Sequence, residues 1–209
     1  MAVVITVAQQ KGGSGKTMLA ANLAAALAAG KSTALLDIDP QHSLARWQKI
    51  RAARDPAVPA ITLSEVSGWR LAGELDRLRR EHEVVLVDTP PVIDTDARRA
   101  IRGADLVVIP VQPSAPDLWA AEGTLKLAAD EKRPVCIVLN RVPAAGRQRE
   151  NMERDLRERG LLVLPSVLGN RAAFSQAFAQ GLGVTEAGPR TLAAAELRAL
   201  LDAMLQVTG

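Results

Sequence analysis

Gln10-Lys11-Gly12-Gly13-Ser14-Gly15-Lys16-Thr17 stands between an apolar, β-branched run, Val3 to Ala8, and an alanine-rich segment of helical period, Lys16 to Ala29. A glycine-rich loop that joins a strand to a helix and ends in Gly-Lys-Thr is suited to holding phosphate. The glycines let backbone N–H groups turn toward an anion, and the N-terminus of the following helix adds partial positive charge. In this reading Lys16 holds the β- and γ-phosphates and the Thr17 hydroxyl ligates Mg²⁺, while Gly12, Gly13, Ser14, Gly15 and Met18 complete the nucleotide contacts. A plain strand-to-helix turn would need the glycines but not Lys16 and Thr17. The stretch departs from the commoner phosphate-loop pattern, whose first glycine would fall at Gln10, and it carries a lysine, Lys11, beside that position. Lys11 also lies too far from the loop's phosphate grip to be needed there.

Outward from the loop, strand-length apolar runs alternate with helical-period segments, the pattern of a parallel sheet with crossover helices. Strands are predicted at Val3 to Ala8, Thr33 to Asp37, Ala60 to Leu63, Val84 to Asp88, Leu106 to Pro110, Val135 to Asn140 and Leu161 to Leu164. Helices are predicted at Lys16 to Ala29, Leu44 to Ala53, Arg70 to Arg80, Thr95 to Arg102, Leu118 to Asp130, Arg147 to Arg159, Arg171 to Gln180 and Leu192 to Gln206. The expectation is an α/β fold, a mostly parallel, doubly wound sheet of about seven strands flanked by helices, in a single domain over residues 1–209. The strand runs are apolar throughout, as strands buried on both faces are. Arg54 to Pro59 and Gly181 to Pro189 are the least regular stretches and read as surface loops.

Composition narrows the function classes. Hydrophobic residues at 48% and charged residues at 23% are ordinary globular usage, which excludes a disordered chain. Aromatic residues make up only 2%, so stacking platforms for single-stranded nucleic acid are not expected. The single cysteine, Cys136, excludes intrachain disulfides and Cys-rich metal centres. A net charge of +3 is compatible with weak polyanion binding without requiring it. No segment reads as a signal peptide or a spanning helix. His42 and His82 have no partners at metal-ligand spacing along the chain and read as surface residues.

Three further strand ends carry polar groups. Thr33 to Leu36 leads into Asp37-Ile38-Asp39-Pro40-Gln41, Val84 to Val87 into Asp88-Thr89-Pro90-Pro91, and Val135 to Leu139 into Asn140-Arg141. Open α/β sheets bind ligands at the C-terminal edge of their strands. A strand-end aspartate alone is commonplace, and a capped turn would explain one of Asp37 and Asp39 but not both. An asparagine after a strand suits a turn as well as a purine edge, whose donor and acceptor an amide matches.

Together these residues resemble the ParA and MinD family of deviant Walker A ATPases, over essentially the whole chain and closest to the short, ParF-like partition type. The resemblance implies ATP/ADP and Mg²⁺ as ligands and an ATP-dependent sandwich homodimer in which Lys11 reaches the partner's nucleotide. It implies that Asp37 lies near the Mg²⁺ shell, that Asp39 orients the attacking water, and that Asp88 holds a Mg²⁺-bound water at the end of a Walker B strand. Residues 89–96 would form a switch II loop. Catalysis would then rest on Lys11, Lys16 and Asp39, metal binding on Thr17, Asp37 and Asp88. Asn140, with Arg141, would face the adenine and Pro165 would flank it. The loop Ile109 to Asp117 would border the dimer interface, although a proline-stiffened connection reads the same residues equally well.

Short relatives of this kind bind double-stranded DNA nonspecifically in the ATP state through basic residues near the C-terminal end. Arg171 and Arg190 match that pattern, and Lys126, Lys132, Arg133 and Arg147 could add to it; each could equally be a solvated surface charge. The implied function is cargo positioning, of a plasmid, a chromosome or a protein assembly, with slow hydrolysis stimulated by a ParB-like or other adaptor. The protein would be cytoplasmic, nucleoid-associated with ATP, and without a membrane partner. The alternatives are a MinD-like membrane regulator or a metabolic P-loop enzyme. Against the first, Leu192 to Gln206 contains Glu196, Arg198 and Asp202 and no lysine or aromatic residue, unlike a membrane-seeking helix.

Overall fold

Strands that are mainly apolar along both faces need cover on both sides, and crossover helices supply it. The computed structural model describes residues 2–54, 58–92 and 94–208. Its elements run β1 (Val3–Val7), α1 (Lys16–Leu27), β2 (Thr33–Asp37), α2 (Ser43–Ala52), β3 (Thr62–Glu65), α3 (Arg70–Glu81), β4 (Val84–Asp88), α4 (Thr95–Arg102), β5 (Leu106–Val111), α5 (Ala115–Asp130), β6 (Val135–Leu139), α6 (Gln148–Glu158), α7 (Ala172–Ala179), α8 (Val184–Ala187) and α9 (Leu192–Thr208). Parts of two predicted loops, residues 55–57 of Arg54 to Pro59 and Ile93 of the switch II stretch, lie outside the described residues.

The sheet is parallel, in the order β3-β2-β4-β1-β5-β6. The α/β architecture is the one expected, with six strands in the sheet rather than seven. Leu161 to Leu164 does not become a strand. It touches β6 only through an isolated parallel bridge between Ile137 and Val163, and a second bridge joins Val142 to Gly169. Pro165 lies between them and has no N–H to give, so the ladder breaks at that residue. β3 also starts later than expected, at Thr62, in register with Ala34 of β2. α5 starts earlier, at Ala115, because Pro116 falls in a first turn that tolerates it and Ser114 caps the helix. Gly181 to Pro189 contains α8, whose start is fixed by the Gly183 N–H donating to the Glu186 carboxylate at 2.9 Å.

Alternation along the strands assigns side chains to two layers. Ile5 and Val7 of β1, Leu106 and Val108 of β5, and Cys136 and Val138 of β6 pack with α1 and with Leu197, Leu200 and Met204 of α9. Their neighbours Val107, Ile109, Ile137 and Leu139 face the other way, onto Leu118, Leu127 and Leu156 of α5 and α6. Val4, Ala34, Leu36, Val85 and Val87 pack against Leu71, Leu75 and Leu78 of α3. Cys136 is wholly buried, and burial raises its thiol pKa to about 12, so it is an inert core residue. α1 is apolar nearly all round and lies deep between the sheet and α7 to α9, which holds the loop before it rigidly at the sheet edge.

Candidate active site

The strand order places every polar strand end at one edge. β1 lies between β4 and β5, and in the parallel register Val7 pairs with Asp88 while Asp88 also pairs with Asp37. Thr89 donates its hydroxyl to the Val7 carbonyl at 3.0 Å, fixing the chain after β4 against the start of the phosphate loop. Asn140 follows β6, and its side-chain amide donates to the Ser14 carbonyl at 2.8 Å. Loop 8–15, the three aspartates and Asn140 are thereby gathered at the C-terminal edge, as the sequence predicts.

Gly15 has φ +94°, and a Cβ there would lie 2.5 Å from the Asn140 Nδ2. Both the left-handed backbone and the close approach require glycine. Gly15→Ala is expected to destabilise the protein by about 1–3 kcal/mol and to loosen the loop's grip on nucleotide. Urea denaturation and titration with a fluorescent ATP analogue check the two effects.

Lys16 is buried and donates to the Lys11 carbonyl at 3.4 Å, a long bond that an incoming anion can replace. Burial lowers its pKa, and the nearby Asp88 and Asp39 carboxylates oppose that shift. Lys11, half-exposed, turns away from its own loop to an ion pair with Asp117, in the first turn of α5. Asp117 is 1% exposed and also accepts from the Ser114 hydroxyl at 2.6 Å. The sequence offers Asp117 only as the last residue of the loop Ile109 to Asp117, and nothing in its spacing points to Lys11 as a partner. The pairing puts the expected interface loop in direct contact with the phosphate loop, and Gln112 donates to the Gly13 carbonyl at 3.2 Å to the same end.

Asp88 is fully buried, and neither of its carboxylate oxygens has a hydrogen-bond partner; Asp37 Oδ2 is likewise buried and unpartnered among the described residues. Burial raises Asp88 to about 8, against the lowering effects of the Thr17 hydroxyl and Lys16. Burial raises Asp37 to about 6, opposed by the Asp39 N–H that donates to its Oδ1 at 3.0 Å. Orphaned carboxylate oxygens beside a threonine hydroxyl make an all-oxygen donor set, which fits Mg²⁺. Thr17, Asp37 and Asp88 are therefore the residues that would hold it.

The same burial sets a pH dependence. Folding raises the pKa of Asp88, so the folded, ligand-free protein binds a proton that the unfolded chain releases near pH 3.8. That stabilisation is complete at lower pH and is lost as pH rises through about 8. The advantage of Asp88→Asn in thermal unfolding over the wild type is therefore expected to grow across this range, in the absence of Mg²⁺ and nucleotide.

Two adjoining cavities of about 390 Å³ each share Gly15, Met18 and Arg141. One is lined by Gly12, Gly13, Lys16, Thr17, Asp39, Gln41 and Pro91, the phosphate loop and its facing carboxylate. The other is lined by Asn22, Asn140, Leu168, Gly169, Asn170, Arg171 and Phe174. A phosphate chain and a base would occupy the two in turn. Pro165 is exposed and lies outside both linings; the residues that flank the second cavity are 168–170. They could not be found from sequence because the segment is placed by isolated bridges rather than by a strand.

The two candidate DNA-contacting arginines differ. Arg171 is held by Glu196 of α9 at 2.6 and 2.9 Å and lines the second cavity. Arg190 is exposed and forms no ion pair among the described residues. Since Arg171 meets the first turns of α9 and Arg190 directly precedes that helix, both lie at the nucleotide end of the fold. Arg147 enters α6 after β6 at the same edge, whereas Lys132 and Arg133 precede β6 and lie at the opposite edge, away from that end.

Comparison with known proteins bears on the family and the fold. The family described as the CobQ/CobB/MinD/ParA nucleotide binding domain matches residues 5–184. The chain is 35% identical over 188 residues to the maintenance of carboxysome distribution protein A of Gloeobacter kilaueensis, covering 88% of this chain and 84% of that protein. It is 32% identical over 187 residues to protein ParA of Rhizobium radiobacter, covering 85% and 83%. Among solved structures, an aspartate-to-alanine variant of Cyanothece McdA in complex with ATP superposes with a TM-score of 0.79 at 18% identity, over 97% of this chain and 96% of that one.

Proposed function

The chain belongs to the CobQ/CobB/MinD/ParA family of nucleotide-binding domains, and on that footing we propose that it is a ParA-like ATPase that positions cargo. ATP closes two copies into a sandwich dimer, the dimer binds double-stranded DNA without sequence preference, and an adaptor protein stimulates hydrolysis and release. The carrying observation is the division of labour between the two lysines. Lys16 is engaged with its own loop, while Lys11 turns out of it to an ion pair with Asp117 of the α5 turn, a partner it would exchange for the second nucleotide.

In this reading the glycine loop and Lys16 orient the phosphates, Asn140 and Arg141 face the adenine, and Thr17, Asp37 and Asp88 hold Mg²⁺. When bound, the metal neutralises charge on the β- and γ-phosphates. Lys11 of one copy stabilises the charge that develops on the other copy's γ-phosphate, and Asp39 accepts a hydrogen bond from the attacking water and holds it in line. Since the γ-phosphate is the group both copies grip, ADP leaves the dimer without its shared contact. The names of the relatives, carboxysome distribution and ParA, support a positioned cargo, and the adaptor would specify which.

A MinD-like membrane regulator is the weaker reading. The apolar face of α9 is spent in the core through Ala193, Ala194, Leu197, Leu200 and Met204, each at most 1% exposed, and no helix among the described residues is long and apolar enough to cross a membrane.

DNA binding with ATP, ADP and no nucleotide tests the proposal. With ATP, retention of any duplex is expected to weaken as salt rises. Arg190→Glu is expected to weaken it about tenfold across all sequences and to flatten the log–log salt slope by about one. Binding that is equal in all nucleotide states would contradict the reading.

A further inference from the structure

We propose that Asp37, His42 and Glu65 form a second cation site, suited to a transition-metal ion such as Zn²⁺ or Co²⁺. No spacing along the chain announces it: the three residues come from the end of β2, the turn before α2 and the end of β3. The parallel register sets Asp37 directly opposite Glu65, and one ligand atom from each of the three residues lies within 4.8 Å of the others.

Three observations point to an ion. First, Asp37 is 1% exposed and its Oδ2 has no hydrogen-bond partner while Oδ1 serves the Asp39 N–H, so without nucleotide and its Mg²⁺ one buried carboxylate oxygen is open to an ion on the His42 side. Second, His42 adopts a left-handed backbone, φ 49° and ψ 38°, which is uncommon for a residue with a side chain. Its Nδ1 lies 2.8 Å from Glu65 Oε1. Third, the donor set is one imidazole nitrogen and two carboxylates. Mg²⁺ prefers oxygen alone, whereas Zn²⁺ and Co²⁺ accept such mixed sets.

Two ligands about 2 Å from a tetrahedral ion lie about 3.3 Å apart, so His42 and Glu65 need to separate by only about 0.5 Å. Both side chains are exposed and free to do so. An ion there would tie residues 38–42, which carry Asp39, to the edge strand β3. This inference rests on side-chain geometry alone and holds whether or not the chain hydrolyses ATP.

The test is a Co²⁺ titration of the full chain followed by visible absorption, without nucleotide or Mg²⁺ because Asp37 is also placed near the nucleotide's metal. The variants are His42→Asn, which tolerates the left-handed backbone, and Glu65→Gln. The wild type is expected to bind one equivalent saturably, and each variant to bind at least about tenfold more weakly. Absence of a saturable band in the wild type overturns the proposal, as does a band that either variant leaves unweakened, which would place the ion on the Thr17 and Asp88 side. Binding of a fluorescent ATP analogue with Mg²⁺ is read separately on the same proteins, so failure of the nucleotide reading leaves the cobalt result standing.

Discussion

Lys11→Ala is expected to lower single-turnover ATP hydrolysis by about a thousandfold while leaving ATP affinity of the monomer within a few-fold. A cation supplied across an interface to a γ-phosphate is worth that much because it meets charge that develops only in the transition state. Lys16 and the loop glycines still grip the nucleotide without it. The substitution also strands Asp117, a buried carboxylate whose Oδ1 is already unpartnered. The Ser114 hydroxyl remains on Oδ2, and the Lys11 side chain is 39% exposed, so the stability cost is about 1 kcal/mol. A urea midpoint separates that cost from the rate effect. Phosphate release that falls only as far as the folded fraction does would mean that Lys11 serves the fold and not the chemistry.

Asp39→Ala is the complementary case: ATP binding kept, hydrolysis reduced by about 10²- to 10⁴-fold, and the ATP dimer accumulating. Asp39 lines the phosphate cavity opposite Lys16 and is nearly buried. Its Oδ1 accepts from the Gln41 N–H at 2.9 Å, which stabilises the turn and aims the carboxylate. Loss of the turn is a competing explanation for a slow variant, and Asp39→Asn removes it, since an amide oxygen can accept the same bond. Equal rate loss in both variants assigns the effect to the carboxylate charge; a normal rate in Asp39→Asn would assign it to the turn.

What was legible in the sequence follows from what is local. The phosphate loop, the strand-end aspartates and the apolar strands all announce themselves within a few residues, and the parallel register then brings Asp37 and Asp88 side by side without further instruction. Leu161 to Leu164 is not the strand expected because apolar content alone does not make a strand; the missing N–H of Pro165 and the edge position left two isolated bridges. Partnerships across distant segments were invisible. Lys11 with Asp117, Arg171 with Glu196, and His42 with Glu65 join residues whose spacing carries no period. Arg171 shows the consequence, since a residue read either as a DNA contact or as a solvated surface charge is paired with Glu196.

The central claim is that γ-phosphate joins two copies of this chain, and light scattering on the eluting Asp39→Ala protein tests it most directly. With ATP and Mg²⁺ the account predicts twice the 22.2 kDa of the chain, and with ADP or no nucleotide a single chain mass. A mass that stays at one chain with saturating ATP, or that is doubled whatever the nucleotide, would contradict it.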